Sequence, residues 1–158
     1  MHPTAARVQE RLRERGLHVS VQVLPDSART AVEAAAAVGC DVGQIVKALV
    51  FMRDGEPMMV LCAGDRRVAA KRLGLRVASA DEARAGTGFA IGGIPPLGHD
   101  SEIATIVDDS LRRFPAVWCA AGTPHAVFEI VPEALISAIP GAEIVDVAEA
   151  PVSDPDTV

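Results

Sequence analysis

Ile45-Val46-Lys47-Ala48-Leu49-Val50-Phe51 is the run that decides how the rest of the chain is read. Apolar residues at every position but one make it a strand covered on both faces, hence interior to a sheet. Asp54-Gly55 supplies a reversal and Met58 to Ala63 its hairpin partner. Just upstream, Thr30-Ala31-Val32-Glu33 is a capping box opening an alanine-rich helix that Gly39 ends, with a short turn over 41–44 before the strand. Earlier still, His18 to Leu24 alternates Val19, Val21 and Val23 with Ser20 and Gln22, the period of a half-buried strand, and Pro25-Asp26-Ser27 breaks it. A first, charged and peripheral helix runs from a Thr4 cap to Arg15, with Gly16 as its stop.

Downstream, Gly64 leads into an Arg-rich helix ending near Leu73-Gly74. A short strand over 75–78 follows, then a second capping box at Ser79-Ala80-Asp81-Glu82. Residues 86–100 hold five Gly and two Pro, too many for a helix or central strand, and form a long loop. Strands are expected at 103–107, 116–121 and 126–131, a helix from Pro132 to Pro140, and an edge strand at 143–147. The pattern is mixed α/β. Residues 1–147 make one domain and 148–158 an acidic tail expected to be disordered.

A length of 158 residues suits a single core. With 49% hydrophobic residues and a mean hydropathy of +0.26, the composition is that of a globular chain rather than a disordered one. Aromatics make up 3%, which rules out a base-stacking surface of interleaved rings. The net charge of -6 comes largely from residues 143–158; without their five acids the body carries 16 acids against 15 bases. A local phosphate contact is compatible with that balance, with Arg66, Arg67, Lys71 and Arg72 as candidates, but wrapping of DNA or of a whole RNA is not. No signal-peptide pattern and no membrane-length apolar run is found, so a cytoplasmic protein with no membrane partner is expected. Cys40, Cys62 and Cys119 are odd in number and widely spaced, suggesting neither a disulfide framework nor a metal site. No cofactor fingerprint occurs.

Lys47 breaks its own strand's pattern. A cation there must be paired, reach solvent at a cleft, or lose its charge to desolvation; equally it could be an edge-strand lysine extending to the surface. Gly92-Gly93-Ile94-Pro95-Pro96-Leu97-Gly98 could offer unhindered backbone N–H groups to a ligand, or could simply be a stiff connector. His99 and His125 lie in Gly/Pro loops, where an imidazole can bind or move protons but is more often a hydrogen-bonding residue. Asp108-Asp109 follows a strand and is placed to cap the turn through 110–113. No nucleophile elbow or Ser/His/Asp order appears.

Four ordered blocks carry a resemblance. Thr30 through the alanine-rich helix to Gly39, Ile45 to Phe51, Gly92 to Gly98, and Ala121-Gly122 through Phe128-Glu129-Ile130 to Pro132-Glu133-Ala134-Leu135 are similar to the YbaK/EbsC family, the editing domain associated with prolyl-tRNA synthetase. The likeness spans roughly residues 5–147. It implies a strongly curved mixed β-sheet surrounded by helices, and hydrolysis in trans of the ester on mischarged tRNA, with tRNA for proline carrying Ala, Cys, Ser or Thr as the substrate class. It places the catalytic lysine at Lys47. Substrate contacts fall at Gly92, Gly93, Ile94, Pro95 and Gly98, with Thr30 at the rim and Gly122 and His125 at the wall. The implied partner is the aminoacyl-tRNA acceptor end, and prolyl-tRNA synthetase or an elongation factor could supply tRNA selectivity. Ala48 departs from the family, where the residue after the lysine is often polar, so any hydrogen bond made there is missing. The alternatives are a non-catalytic aminoacyl- or nucleotide-binding module and a small-ester hydrolase.

Overall fold

The computed structural model describes residues 1–25 and 28–149. The strand-breaking role given to Asp26 and Ser27, and the expected tail beyond Glu149, lie outside the described residues. Ala148 still bridges Val68, and the Glu149 N–H donates to the Arg67 carbonyl, so the chain stays paired through Glu149.

Among the described residues, eight strands and four helices follow in the order α1 Pro3–Glu14, β1 Val21–Val23, α2 Ala31–Val38, β2 Val46–Arg53, β3 Glu56–Ala63, β4 Arg76–Val77, α3 Ala80–Thr87, β5 Ala104–Asp108, β6 Val117–Ala120, β7 Ala126–Ile130, α4 Pro132–Ala138 and β8 Glu143–Val145. Short 3₁₀ turns at Val42–Gln44 and Asp109–Arg113 join neighbouring elements. The mixed α/β class expected from the pattern is present. The strands form two ladders, an antiparallel β1-β7-β6 and a mixed β4-β2-β3-β5-β8 in which β5 runs parallel to both neighbours. One parallel bridge, Ile45 to Trp118, joins them.

β2 is interior, as its two-faced apolar pattern requires. Val46 and Val50 enter the large core with Met59, Leu61, Val107 and Phe128, while Phe51 enters a smaller cluster on the opposite face with Val60, Cys62 and Ile106. The hairpin register pairs Val46 with Ala63 and Lys47 with Cys62. Both capping boxes close as the sequence predicts: Thr30 and Ser79 each accept from the residue three positions on, and Gly39 and Gly88 end the helices in the left-handed region.

Three expectations are corrected. The segment 64–74 is a series of turns, not an Arg-rich helix. Its backbone is drawn to the C-terminal segment, with the Ala69 N–H on the Val147 carbonyl and Val68 bridged to Ala148, and this pairing overrides local helix propensity. Helix α1 is charged but not peripheral. Ala5, Val8 and Leu12 are fully buried in the main core, each large side chain stabilising the fold by about 1.5–3 kcal/mol. Its cap is His2, whose Nδ1 accepts from the Thr4 N–H at 3.0 Å, rather than Thr4.

Among the described residues, no group of three His, Cys, Asp or Glu stands where it could hold a metal ion, and no helix is long and apolar enough to cross a membrane.

Candidate active site

β3 pairs the whole of one edge of β2, and the gap between the ladders lies along the other. The strand pairs with β4 only at Phe51 and Met52, and the second sheet touches it through the Ile45–Trp118 bridge. Between these points a cavity of about 280 Å³ opens along residues 45–49. Ala31 and Ala34 of α2 form one wall, Trp118 and Ala120 of β6 a second, and Gly92, Ile94 and Pro124 a third. The volume is at the low end of small-molecule sites, which span roughly 300–1,000 Å³. Apart from Arg29, Thr30 and Lys47 its walls are apolar, and many of the side chains are short, so it suits a small side chain.

Lys47 is half-buried, and its ammonium donates to the Arg66 carbonyl. It is therefore a paired cation beside a cleft. Cys62, opposite it in the hairpin, places its Sγ 3.6 Å from the same carbonyl. Burial pushes the Cys62 thiol up to about 11 despite the nearby Lys47 charge, and burial alone raises Cys119 further. Both stay protonated near neutrality, which removes them as thiolate nucleophiles.

Thr30 stands on the cavity rim and also caps α2: its Oγ1 accepts from the Glu33 N–H at 3.1 Å, and its own N–H donates to Glu33 Oε1. The hydroxyl proton remains available to a ligand. Thr30→Ala is expected to lower stability by about 1 kcal/mol through loss of the cap, with Thr30→Ser close to wild type, as thermal unfolding would show.

The Gly/Pro loop divides. Gly92 and Ile94 face the cavity. Gly93 lies behind them, its N–H on the Ala90 carbonyl and its Cα against the backbone of Thr123, where a Cβ would come within 2.7 Å. Pro95 is buried away from the cavity, and its carbonyl accepts from His99 Nε2 at 2.6 Å. Gly98 sits under α1, its carbonyl accepting from Arg11 Nη1 at 2.9 Å. Gly122 and His125 line a separate recess of about 480 Å³ that has no Lys, Arg, Asp or Glu among its described wall residues. Of the residues singled out from the sequence, Thr30, Lys47, Gly92 and Ile94 meet at one cavity; Gly93 and Pro95 support it, and Gly98, Gly122 and His125 lie elsewhere.

His99 thus belongs to the loop's scaffold. Burial holds its pKa below the ordinary 6.5, helped by the Arg15 and Arg11 charges and opposed by the Pro95 hydrogen bond and Asp100. An unfolded chain binds this proton more readily than the folded one, so stability falls as pH drops from about 6.5 through the folded value. The melting temperature is expected to drop between about pH 7 and about pH 5.5, and to drop less in His99→Gln.

Sequence reading missed most of the walls. Ala31 and Ala34, spaced i and i+3, were a visible small face of an alanine-rich helix, and Trp118 is the chain's single Trp. Ile45, Ile91 and Pro124 gave no local signal, because only the meeting of two sheets and two loops brings them together.

Comparison with known proteins follows the same outline. The model of the aminoacyl-tRNA editing domain matches residues 25–138. The uncharacterized protein YwhH of Bacillus subtilis (strain 168) is 32% identical over 118 residues, covering 69% of this chain and 74% of that protein. A crystal structure of a proposed trans-editing enzyme for prolyl tRNA synthetase superposes with a TM-score of 0.88 at 43% identity, covering 95% of this chain and 99% of the other. Another, of a hypothetical protein, gives 0.81 at 33% identity over 90% and 99%. Thr30, Lys47, Gly92 and Ile94 all fall within the matched span, and on fold, sequence and extent together the chain belongs to the aminoacyl-tRNA editing domain family.

Proposed function

We propose that the protein is a trans-acting deacylase that hydrolyses the ester of misacylated tRNA, with tRNA for proline bearing a small amino acid as its substrate. The observation that supports this most is the Lys47 ammonium beside a largely apolar cavity of about 280 Å³ whose walls include Ala31, Ala34, Ala48, Gly92 and Trp118. An amino-acid side chain enters the cavity and the ester carbonyl lies near its mouth. Water adds to the carbonyl carbon, the bond to the ribose oxygen breaks, and that oxygen ends with a proton derived from the water. An ester is already activated, so placing it against water and stabilising the developing oxyanion is sufficient catalysis. Lys47 supplies positive charge for the oxyanion or an adjacent phosphate. Of the loop glycines Gly92 lines the cavity, and its N–H is assigned here as a further donor to the oxyanion.

Ala48 lines the cavity without a polar side chain, so selection rests on size and apolar contact. Such pockets discriminate by only about 1–3 kcal/mol per methylene, and Ala, Cys, Ser and Thr are all candidates. The assignment to tRNA for proline draws on the structural neighbour named for prolyl tRNA synthetase. The test is release of labelled amino acid from tRNA for proline charged with Ala, Cys, Ser, Thr or Pro. Selective release of one or more of the first four, with the proline ester spared, is the expected result; no acceleration on any of them would overturn the proposal.

A further inference from the structure

We propose that Arg113 and Asp108 are positioning residues for this reaction, fixing the turn at 63–66 so that its Arg66 carbonyl holds the Lys47 ammonium at the cavity. The inference rests on the deacylase reading and adds to it a device outside the cavity. The turn is gripped at both ends. At its start, the Ala63 N–H donates to Oδ2 of Asp108 at 3.0 Å, and Oδ1 of the same fully buried carboxylate accepts from the Ser110 N–H at 2.9 Å. The Arg66 N–H closes the turn on the Ala63 carbonyl at 3.0 Å.

Within the turn, Asp65 receives both arms of the Arg113 guanidinium, at 3.0 Å on Oδ1 and 3.3 Å on Oδ2. Arg113 is itself held, with Nε on the Ser110 carbonyl at 2.6 Å and its guanidinium 4.7 Å from the Phe114 ring centre. Gly64 has no space for a side chain: a Cβ would stand 2.3 Å from the Val42 carbonyl oxygen and 3.2 Å from the Ala31 Cβ. The turn is thereby wedged against the cavity's own α2 wall. Since the Asp108 and Arg113 side chains both come from the segment that ends β5, one stretch of chain sets the position of the Arg66 carbonyl.

The chemistry gives this a purpose. A lysine ammonium on a four-carbon stem carries three donors and much rotamer freedom. One donor spent on a rigid carbonyl restricts where the other two point. The Asp65–Arg113 pair is about one-third exposed on each side, so its loss should leave the fold standing while freeing the turn.

Only two lysines occur, Lys47 and Lys71, and Lys71 is exposed. Competitive acylation with limiting acetic anhydride, read by mass spectrometry as the Lys47-to-Lys71 ratio, reports the freedom of the Lys47 amine without any substrate. Arg113→Ala is expected to raise that ratio about fivefold, the equilibrium worth of roughly one net hydrogen bond. It should lower kcat about tenfold with little change in KM, as expected for a misplaced group. Arg113→Lys, which restores charge but not the two-armed geometry, should fall between wild type and Arg113→Ala in both readouts. An unchanged acylation ratio in Arg113→Ala overturns the proposal, as does a raised ratio with kcat intact. If the wild type deacylates no charged tRNA, the functional reading fails, and the acylation ratio still decides whether Arg113 holds Lys47.

Discussion

Lys47→Ala is expected to reduce deacylation of the preferred charged tRNA by about 100-fold or more, the usual cost of removing a charge or donor aimed at an oxyanion. The fold should survive. The lysine pairs with the buried Cys62 across the hairpin, and Val46, Val50 and Phe51 keep β2 in both clusters without it. Truncation removes the ammonium together with its bond to the Arg66 carbonyl. Thermal unfolding close to wild type alongside the kinetic loss would separate catalysis from folding. Undiminished deacylation by Lys47→Ala would remove the lysine from the mechanism.

The second large effect is expected at Gly93, through packing. Its backbone has ordinary φ, yet a Cβ would meet the Thr123 nitrogen, Cα and carbonyl carbon at 2.7–2.9 Å. Backbone on both sides cannot yield as a flexible side chain would, so Gly93→Ala must push the Gly/Pro loop off the 122–125 loop. Overpacking of this kind costs about 1–3 kcal/mol. Because Gly92 and Ile94 are its direct neighbours and line the cavity, the displacement should also lower kcat/KM. Chemical denaturation and deacylation of the variant check both halves; wild-type values in each would mean that the loop contact has no role.

Much of this architecture was legible in the chain. The capping boxes at Thr30 and Ser79, the hairpin from 46 to 63 and the double-faced β2 follow from local rules that the tertiary structure does not contest. Lys47 was legible for the same reason, as one cation in a run that otherwise buries both faces. Helix α1 was misjudged because the Val8 and Leu12 stripe is narrow among arginines, and sequence does not say how deeply a narrow stripe will sink. The 64–74 segment was misjudged because its partner lies about eighty residues on, at Val147 and Ala148.

The Gly/Pro loop shows the same limit inside the site. Seven residues in a row could be one ligand cradle or a stiff connector, and three of them take their places from different neighbours. Gly93 answers to Thr123, Pro95 to His99, and Gly98 to Arg11. Those anchors lie 30, 4 and 87 residues away in the sequence, and composition cannot tell a cradle from its scaffold.

The central claim is that the aminoacyl end occupies the cavity beside Lys47. Trp118, the single Trp, stands in its wall and makes a fluorescence titration direct. The probe is a non-hydrolysable amide analogue of alanyl-adenosine, with adenosine alone as control, on the wild type and on Ala34→Phe, which fills the cavity. A saturable Trp118 response to the analogue, weaker for adenosine and lost in Ala34→Phe, is the expected result. An equal response to adenosine, or one that persists in Ala34→Phe, would contradict the account and place the substrate elsewhere on the protein.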